Sequence, residues 1–140
     1  MAPVLLRLGR LPGSGKDQGL GPDRQRGFVR EVQILSAICH ENLVPVLAFS
    51  MPCLALVHPW PEQGNLGELL RTAPPDPAEG FHALLGAAQG LRALHEMRLV
   101  HRDVKSAGIY LFDAADGQGT LAKLGDCSLV CEPDEDLSSN

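Results

Sequence analysis

The densest group of reactive side chains is His101-Arg102-Asp103-Val104-Lys105-Ser106, and Leu124-Gly125-Asp126 places a second acidic residue 23 positions beyond Asp103. A carboxylate accepts hydrogen bonds and binds hard cations, and an ammonium neutralises negative charge. A His-Arg-Asp tripeptide alone is a weak signal, because such triplets arise by chance on helix surfaces. A lysine two residues after the aspartate, with a further aspartate closing a strand, is much harder to reach by chance. The plain alternative for Asp103 and Lys105 is a solvated ion pair on a loop.

The elements that must position these groups follow from hydrophobic spacing. Val4 to Leu8 reads as a strand, and residues 12–26, rich in Gly, charge and turn formers, read as a loop. From Phe28 the pattern turns helical, with Phe28, Val32, Leu35 and Cys39 on one stripe and an end near His40-Glu41-Asn42. Residues 43–49 and 54–57 read as two strands joined by a turn containing Pro52. Residues 58–64 hold Pro59, Pro61 and Gly64 and read as a connector. Asn65 is placed to cap a helix through Arg71, with Glu68 as its capping-box partner. Residues 72–77 form a proline-rich loop. A helix over 81–95 carries an apolar face of Leu84, Leu85, Ala88, Leu91, Leu94 and His95. Short strands at 99–100, 109–112 and 121–124 close the order, the last two joined by a hairpin over 113–119. There are no internal repeats.

Composition narrows the function. The 140 residues suit one domain or a piece of one, and a hydrophobic fraction of 44% with only 4% aromatic residues implies a core of Leu, Val and Ala. Twelve Lys and Arg against seventeen Asp and Glu give a formal net charge of -5, which offers no basic footprint for nucleic acid. Arg24, Arg26 and Arg30 read as a solvated helix face. No apolar run is long enough for a membrane span, and the Arg-containing start, residues 1–11, reads as a strand rather than a signal peptide. Cysteines at 39, 53, 127 and 131 lack a paired framework, so reduced thiols in a cytoplasmic protein are expected in place of disulfides or zinc.

At this point the chain resembles the protein kinases, whose catalytic loop reads H-R-D-x-K-x-x-N and whose metal motif reads D-F-G. Lys105 matches the Ser/Thr-type loop. Phe28-Val29-Arg30-Glu31-Val32 resembles the helix carrying the ion-pairing glutamate, here Glu31, and His40-Glu41-Asn42-Leu43-Val44 resembles the turn after it. Gln63-Gly64-Asn65-Leu66 resembles the segment after the hinge. The H-E-N-L-V and H-R-D-x-K-S-A wording is most similar to the interleukin-1-receptor-associated and Pelle branch. The resemblance covers roughly residues 3–130 and implies an α+β, two-lobe kinase-like fold present in part. It assigns 1–57 to the small lobe, 58–64 to the hinge and 65–140 to the start of the large lobe.

The resemblance also implies roles. Asp103 would accept a hydrogen bond from a substrate hydroxyl, and Lys105 would neutralise charge on the transferred phosphoryl group. Asp126 would hold Mg2+ bridging the phosphates of ATP. Glu31 would hold a basic residue over the nucleotide, for which Arg7 in Val4-Leu5-Leu6-Arg7 is the candidate. The plain alternatives are a surface glutamate on an amphipathic helix and a surface strand arginine. Counting back from Gly64 puts the gatekeeper at His58, the adenine acceptor at the Pro59 carbonyl and the usual N–H donor at Pro61.

Several positions depart from the pattern. Gly108 stands where the magnesium-binding Asn belongs, and Asp126-Cys127-Ser128 stands for D-F-G. Proline has no N–H, so one of two adenine bonds is lost at Pro61, a net loss of about 0.5–1.5 kcal/mol. Gly13-Ser14-Gly15-Lys16 fails the phosphate-loop spacing, and no A-P-E segment follows Asp126, so a fragment or a short isoform is expected. Two functions follow. One is ATP-dependent phosphoryl transfer to protein hydroxyls in intracellular signalling, impaired in this chain. The other is a non-catalytic, pseudokinase-like module that docks partners in a signalling complex.

Overall fold

The computed structural model describes residues 4–8, 22–115, 117, 119–127 and 130, with side chains described from Gln25 onward. Ser128, Cys131 and most of the expected loop over 12–26 lie outside the described residues. Two antiparallel sheets and three helices make up the described chain.

The first sheet has β3 (Ala55–Pro59) at its centre, flanked by β1 (Val4–Leu8) and β2 (Ala48–Ser50). Leu6 pairs with Val57 on one edge and Phe49 with Leu56 on the other. A central strand is covered on both sides, and accordingly Ala55, Leu56 and His58 are buried. The strand runs two residues into the expected connector, through His58 and Pro59. Of the expected strand over 43–49 only the end is β2. Leu43 instead bridges in parallel to Leu124 of the other sheet.

Helix α1 (Pro22–Ala37) begins inside the expected loop. Proline suits the first helical turn because its missing N–H has no intrahelical partner there. Phe28, Val32 and Leu35 are buried with Leu54, Leu56 and Cys127, as the stripe requires. Cys39 does not join them. It lies past the helix end and is exposed.

Asn65 caps α2 (Leu66–Thr72), its side chain accepting from the Glu68 backbone N–H at 3.0 Å. The complete reciprocal box stands one helix later. Asp76 accepts from the Glu79 N–H at 2.9 Å and Glu79 accepts from the Asp76 N–H at 3.2 Å, opening α3 (Pro77–Glu96). Helix α3 therefore starts four residues ahead of the expected Phe81, on a proline assigned above to a loop.

The face that α3 buries matches the expected one only in part, at Leu94 and the half-buried Leu91. Ala83, Gly86, Ala87, Gly90, Ala93 and Leu94 are buried, while Leu84 and Leu85 are exposed. Small residues win because the helix lies close against the hairpin of β4 (Ile109–Asp113) and β5 (Thr120–Leu124). Buried Asn42 donates its side-chain amide to the Ala122 carbonyl at 2.9 Å and its own carbonyl accepts from the Leu124 N–H at 2.8 Å. A Cβ on Gly86 would stand 2.9 Å from the Ala122 oxygen, and one on Gly90 would overlap the Asn42 carbonyl. Outside this contact, Phe81, Leu84, Leu70 and Val104 leave an apolar surface around a groove between α2 and α3.

Overlap with a backbone carbonyl cannot be relieved by a rotamer change. Gly90→Ala is expected to lower unfolding free energy by about 1–3 kcal/mol, the usual range for overpacking. Gly80→Ala, whose new Cβ meets nothing nearer than Pro75 at 3.9 Å, is expected to raise it by about 0.5–1 kcal/mol. Urea denaturation of the two variants beside the parent measures both signs.

Candidate nucleotide cleft and catalytic loop

The loop after α3 is held by one imidazole. His101 is 1% exposed; its Nε2 donates to the Gly125 carbonyl at 2.8 Å and its Nδ1 accepts from the Asp103 N–H at 3.3 Å. A backbone N–H can only donate and a carbonyl only accept, so the two bonds fix the ring's tautomer. They also fix Asp103 relative to Gly125-Asp126, joining segments that the chain separates by more than twenty residues.

Backbone shape at both ends of this link is unusual. Arg102 has φ 63° and Asp126 has φ 56°, left-handed values on non-glycine residues. Such residues cost of order 1–3 kcal/mol each and gather at functional sites. The turn at Arg102 lets the chain double back so that the Asp103 N–H meets the ring of His101. Next to it, Lys105 Nζ lies 2.6 Å from Asp103 Oδ2, with both side chains partly open to solvent.

Gly108 ends a 3-10 turn over Ser106–Gly108, and its carbonyl accepts from the Gly125 N–H at 2.8 Å. A Cβ built on Gly108 would stand 3.8 Å from Asp126 Oδ2, in ordinary contact, so position 108 faces the Asp126 carboxylate. Tyr110, two residues on, donates its hydroxyl to Asp126 Oδ1 at 3.4 Å. Among the described residues no three His, Cys, Asp or Glu side chains gather as a metal cage. Magnesium needs no such cage, because one or two carboxylates with phosphate oxygens and water complete its shell. Asp126 fits that role, and Gly108 offers no second ligand.

A narrow cleft opens beside Asp126, lined by His58, Pro59, Pro61, Tyr110, Phe112 and Cys127. Pro61 is buried and supplies no N–H. His58 Nδ1 is bonded to the Pro45 carbonyl at 2.8 Å. The connector is fastened to the hairpin below, with Gln63 N–H on the Leu111 carbonyl and Leu111 N–H on the Gly64 carbonyl. Under Phe112, burial lowers the pKa of the Lys123 ammonium, opposed in part by the charge of Glu41.

Glu31 is half-buried on α1. Arg7 belongs to β1 by its backbone, opposite Leu56, and its expected side-chain contact with Glu31 lies outside the described residues. The cleft thus brings together His58, Pro59, Pro61 and Asp126, while Gly108 faces that carboxylate directly. Sequence reasoning missed Tyr110 and Phe112. Strand periodicity carried the signal, since 110 and 112 follow 108 at the two-residue spacing of one sheet face.

Residues 17–139 match the model of the protein tyrosine and serine/threonine kinase family. The chain belongs to the protein kinase family. Its helices and small antiparallel sheets are those of a partial two-lobe kinase fold. It is 36% identical over 118 residues to a probable LRR receptor-like serine/threonine-protein kinase of Arabidopsis thaliana, covering 75% of this chain and 19% of that protein. It is 34% identical over 110 residues to a serine/threonine-protein kinase of Myxococcus xanthus, covering 76% of this chain and 13% of that protein. The kinase domain chain therefore spans less than a fifth of the length of these curated relatives. No helix among the described residues is long and apolar enough to cross a membrane.

The imidazole link predicts a specific loss in this kinase domain. His101→Phe keeps most of the ring volume but removes both bonds and leaves the buried Gly125 carbonyl unpaired. Stability is expected to fall by about 1–3 kcal/mol, read from the midpoint of chemical denaturation. A change below about 0.3 kcal/mol contradicts a structural role for the link.

Proposed function

We propose that the chain is the cleft and catalytic-loop part of a serine/threonine protein kinase that binds ATP with one magnesium ion and transfers phosphate poorly. The observation that carries this reading is the His101 ring, which ties Asp103 to the strand end bearing Asp126. Phosphoryl transfer asks little covalent chemistry of a protein, so holding groups in place is most of the task. Asp103 accepts the hydrogen bond of the substrate hydroxyl and aims its oxygen. Lys105, already against Asp103, turns to the transferring phosphoryl group and neutralises its charge. Asp126 is the residue that would hold magnesium, which when bound stabilises charge on the phosphates. The Pro59 carbonyl is the remaining adenine partner at the connector, and Glu31 with Arg7 the basic anchor.

Residues 1–57 then belong to the small lobe, 58–64 to the hinge and 65–140 to the start of the large lobe. The loop wording supports the interleukin-1-receptor-associated and Pelle branch. A cytoplasmic place in a receptor signalling complex accords with that branch. A second reading, a pseudokinase-like scaffold, is favoured by the absent side chain at Gly108. Pro61, without an N–H, and Cys127, in the place of a larger aromatic side chain, point the same way.

Gly108→Asn separates the two. The position is not among those with positive φ and has room for a Cβ, so a side chain can start there without backbone strain. In a chain carrying both lobes, phosphotransferase activity is expected to rise by about tenfold or more. Adding Asp103→Asn is expected to abolish the gain. Nucleotide binding with no activity in Gly108→Asn favours the scaffold, and a gain that survives Asp103→Asn contradicts the role of Asp103.

A further inference from the structure

The hydroxyl of Tyr110 reaches the same carboxylate that position 108 faces. Its ring lies so close over Gly125 that a Cβ there would stand 2.7 Å from Tyr110 Cε2. Glycine at 125 is therefore what lets the ring lie along the cleft floor. From that position the phenol donates to Asp126 Oδ1 at 3.4 Å, a long O–H···O contact. The second oxygen, Oδ2, lies toward Gly108, 3.8 Å from where a Cβ would stand. One side chain thus turns the carboxylate, and the neighbouring position contributes none.

We propose that Tyr110 is a positioning residue for magnesium-nucleotide binding, orienting the Asp126 carboxylate from the outer shell in place of the side chain that Gly108 lacks. This rests on the nucleotide-binding reading of the cleft. Carboxylates that bind metals are themselves held by hydrogen bonds, and removing such a partner typically lowers metal affinity or activity 10–100-fold. A phenol serves because it donates one bond while its ring, packed on Gly125, limits where that bond can point. Gly125 and Tyr110 thus act as a pair, the first making room for the second.

Tyr110→Phe keeps the ring and removes only the hydroxyl. Calorimetric titration of the full chain with ADP, in magnesium and in chelator, reads the effect. Magnesium-ADP affinity is expected to fall about tenfold in Tyr110→Phe, while affinity in chelator changes by less than about twofold. Adding Gly108→Asn to Tyr110→Phe is expected to restore the magnesium preference. Parent-like affinity in Tyr110→Phe, or an equal loss in both conditions, overturns the proposal and leaves the nucleotide reading standing. Failure of Gly108→Asn to restore the preference overturns the substitution of one position for the other. A parent chain that binds ADP in neither condition overturns the nucleotide reading itself, and this inference with it.

Discussion

Everything at the candidate site hangs on the imidazole of His101, which is buried and bonded on both sides to backbone. On one side it receives the N–H of Asp103, and on the other it donates to the carbonyl of Gly125. Because both partners are main chain, the link orients backbone, and the side chains of Asp103, Lys105 and Asp126 follow from it. The left-handed residues Arg102 and Asp126 flank the link, where their strain is opposed by the burial of His101 and of Leu124. A lone loop of this shape would relax. Packed beneath it, β4 and β5 hold it through the Gly125–Gly108 backbone bond.

A second constraint is the approach of α3 to β5. Asn42 sits between them and bonds to β5 at both its side chain and its carbonyl, and the helix can reach it only through glycine and alanine. This contact carries the segment after α1 onto the hairpin, so the part bearing Glu31 and the part bearing Asp126 share one frame. The connector adds a second tie through Gln63, Gly64 and Leu111. The cleft between these ties is therefore bounded by fixed backbone, and its chemistry is set by the side chains that line it.

The strand at 4–8, the one expected over 109–112 and the Asn65 cap were legible because each rests on local spacing or local hydrogen bonding. The starts of α1 and α3 were not, since Pro22 and Pro77 fall in segments whose composition reads as loop, although proline suits a first helical turn. The buried face of α3 was misread in part, for a different reason. Leu84 and Leu85 outrank Gly86 and Gly90 on any hydrophobicity scale, yet only the small residues admit Asn42. Close approach between elements is a tertiary fact with little local trace. For Tyr110 the two-residue spacing from Gly108 was a local trace, while its partner Asp126, just past the end of β5, was not.

The departures at Gly108, Pro61 and Cys127 act on different things. Gly108 brings no side chain to Asp126, Pro61 offers no N–H to the cleft, and Cys127 is buried with Phe28, Val32, Leu35 and Leu56. The most direct test of the account is a map of backbone amide signals of the isotope-labelled chain as ATP and magnesium are added. The account predicts shifts concentrated at the cleft residues Val44, His58, Gly125 and Asp126 and at Gly108 beside them, with the outer α3 residues Phe81 and Leu84 unmoved. Shifts confined to the α2–α3 groove, or none at millimolar ATP, would contradict it.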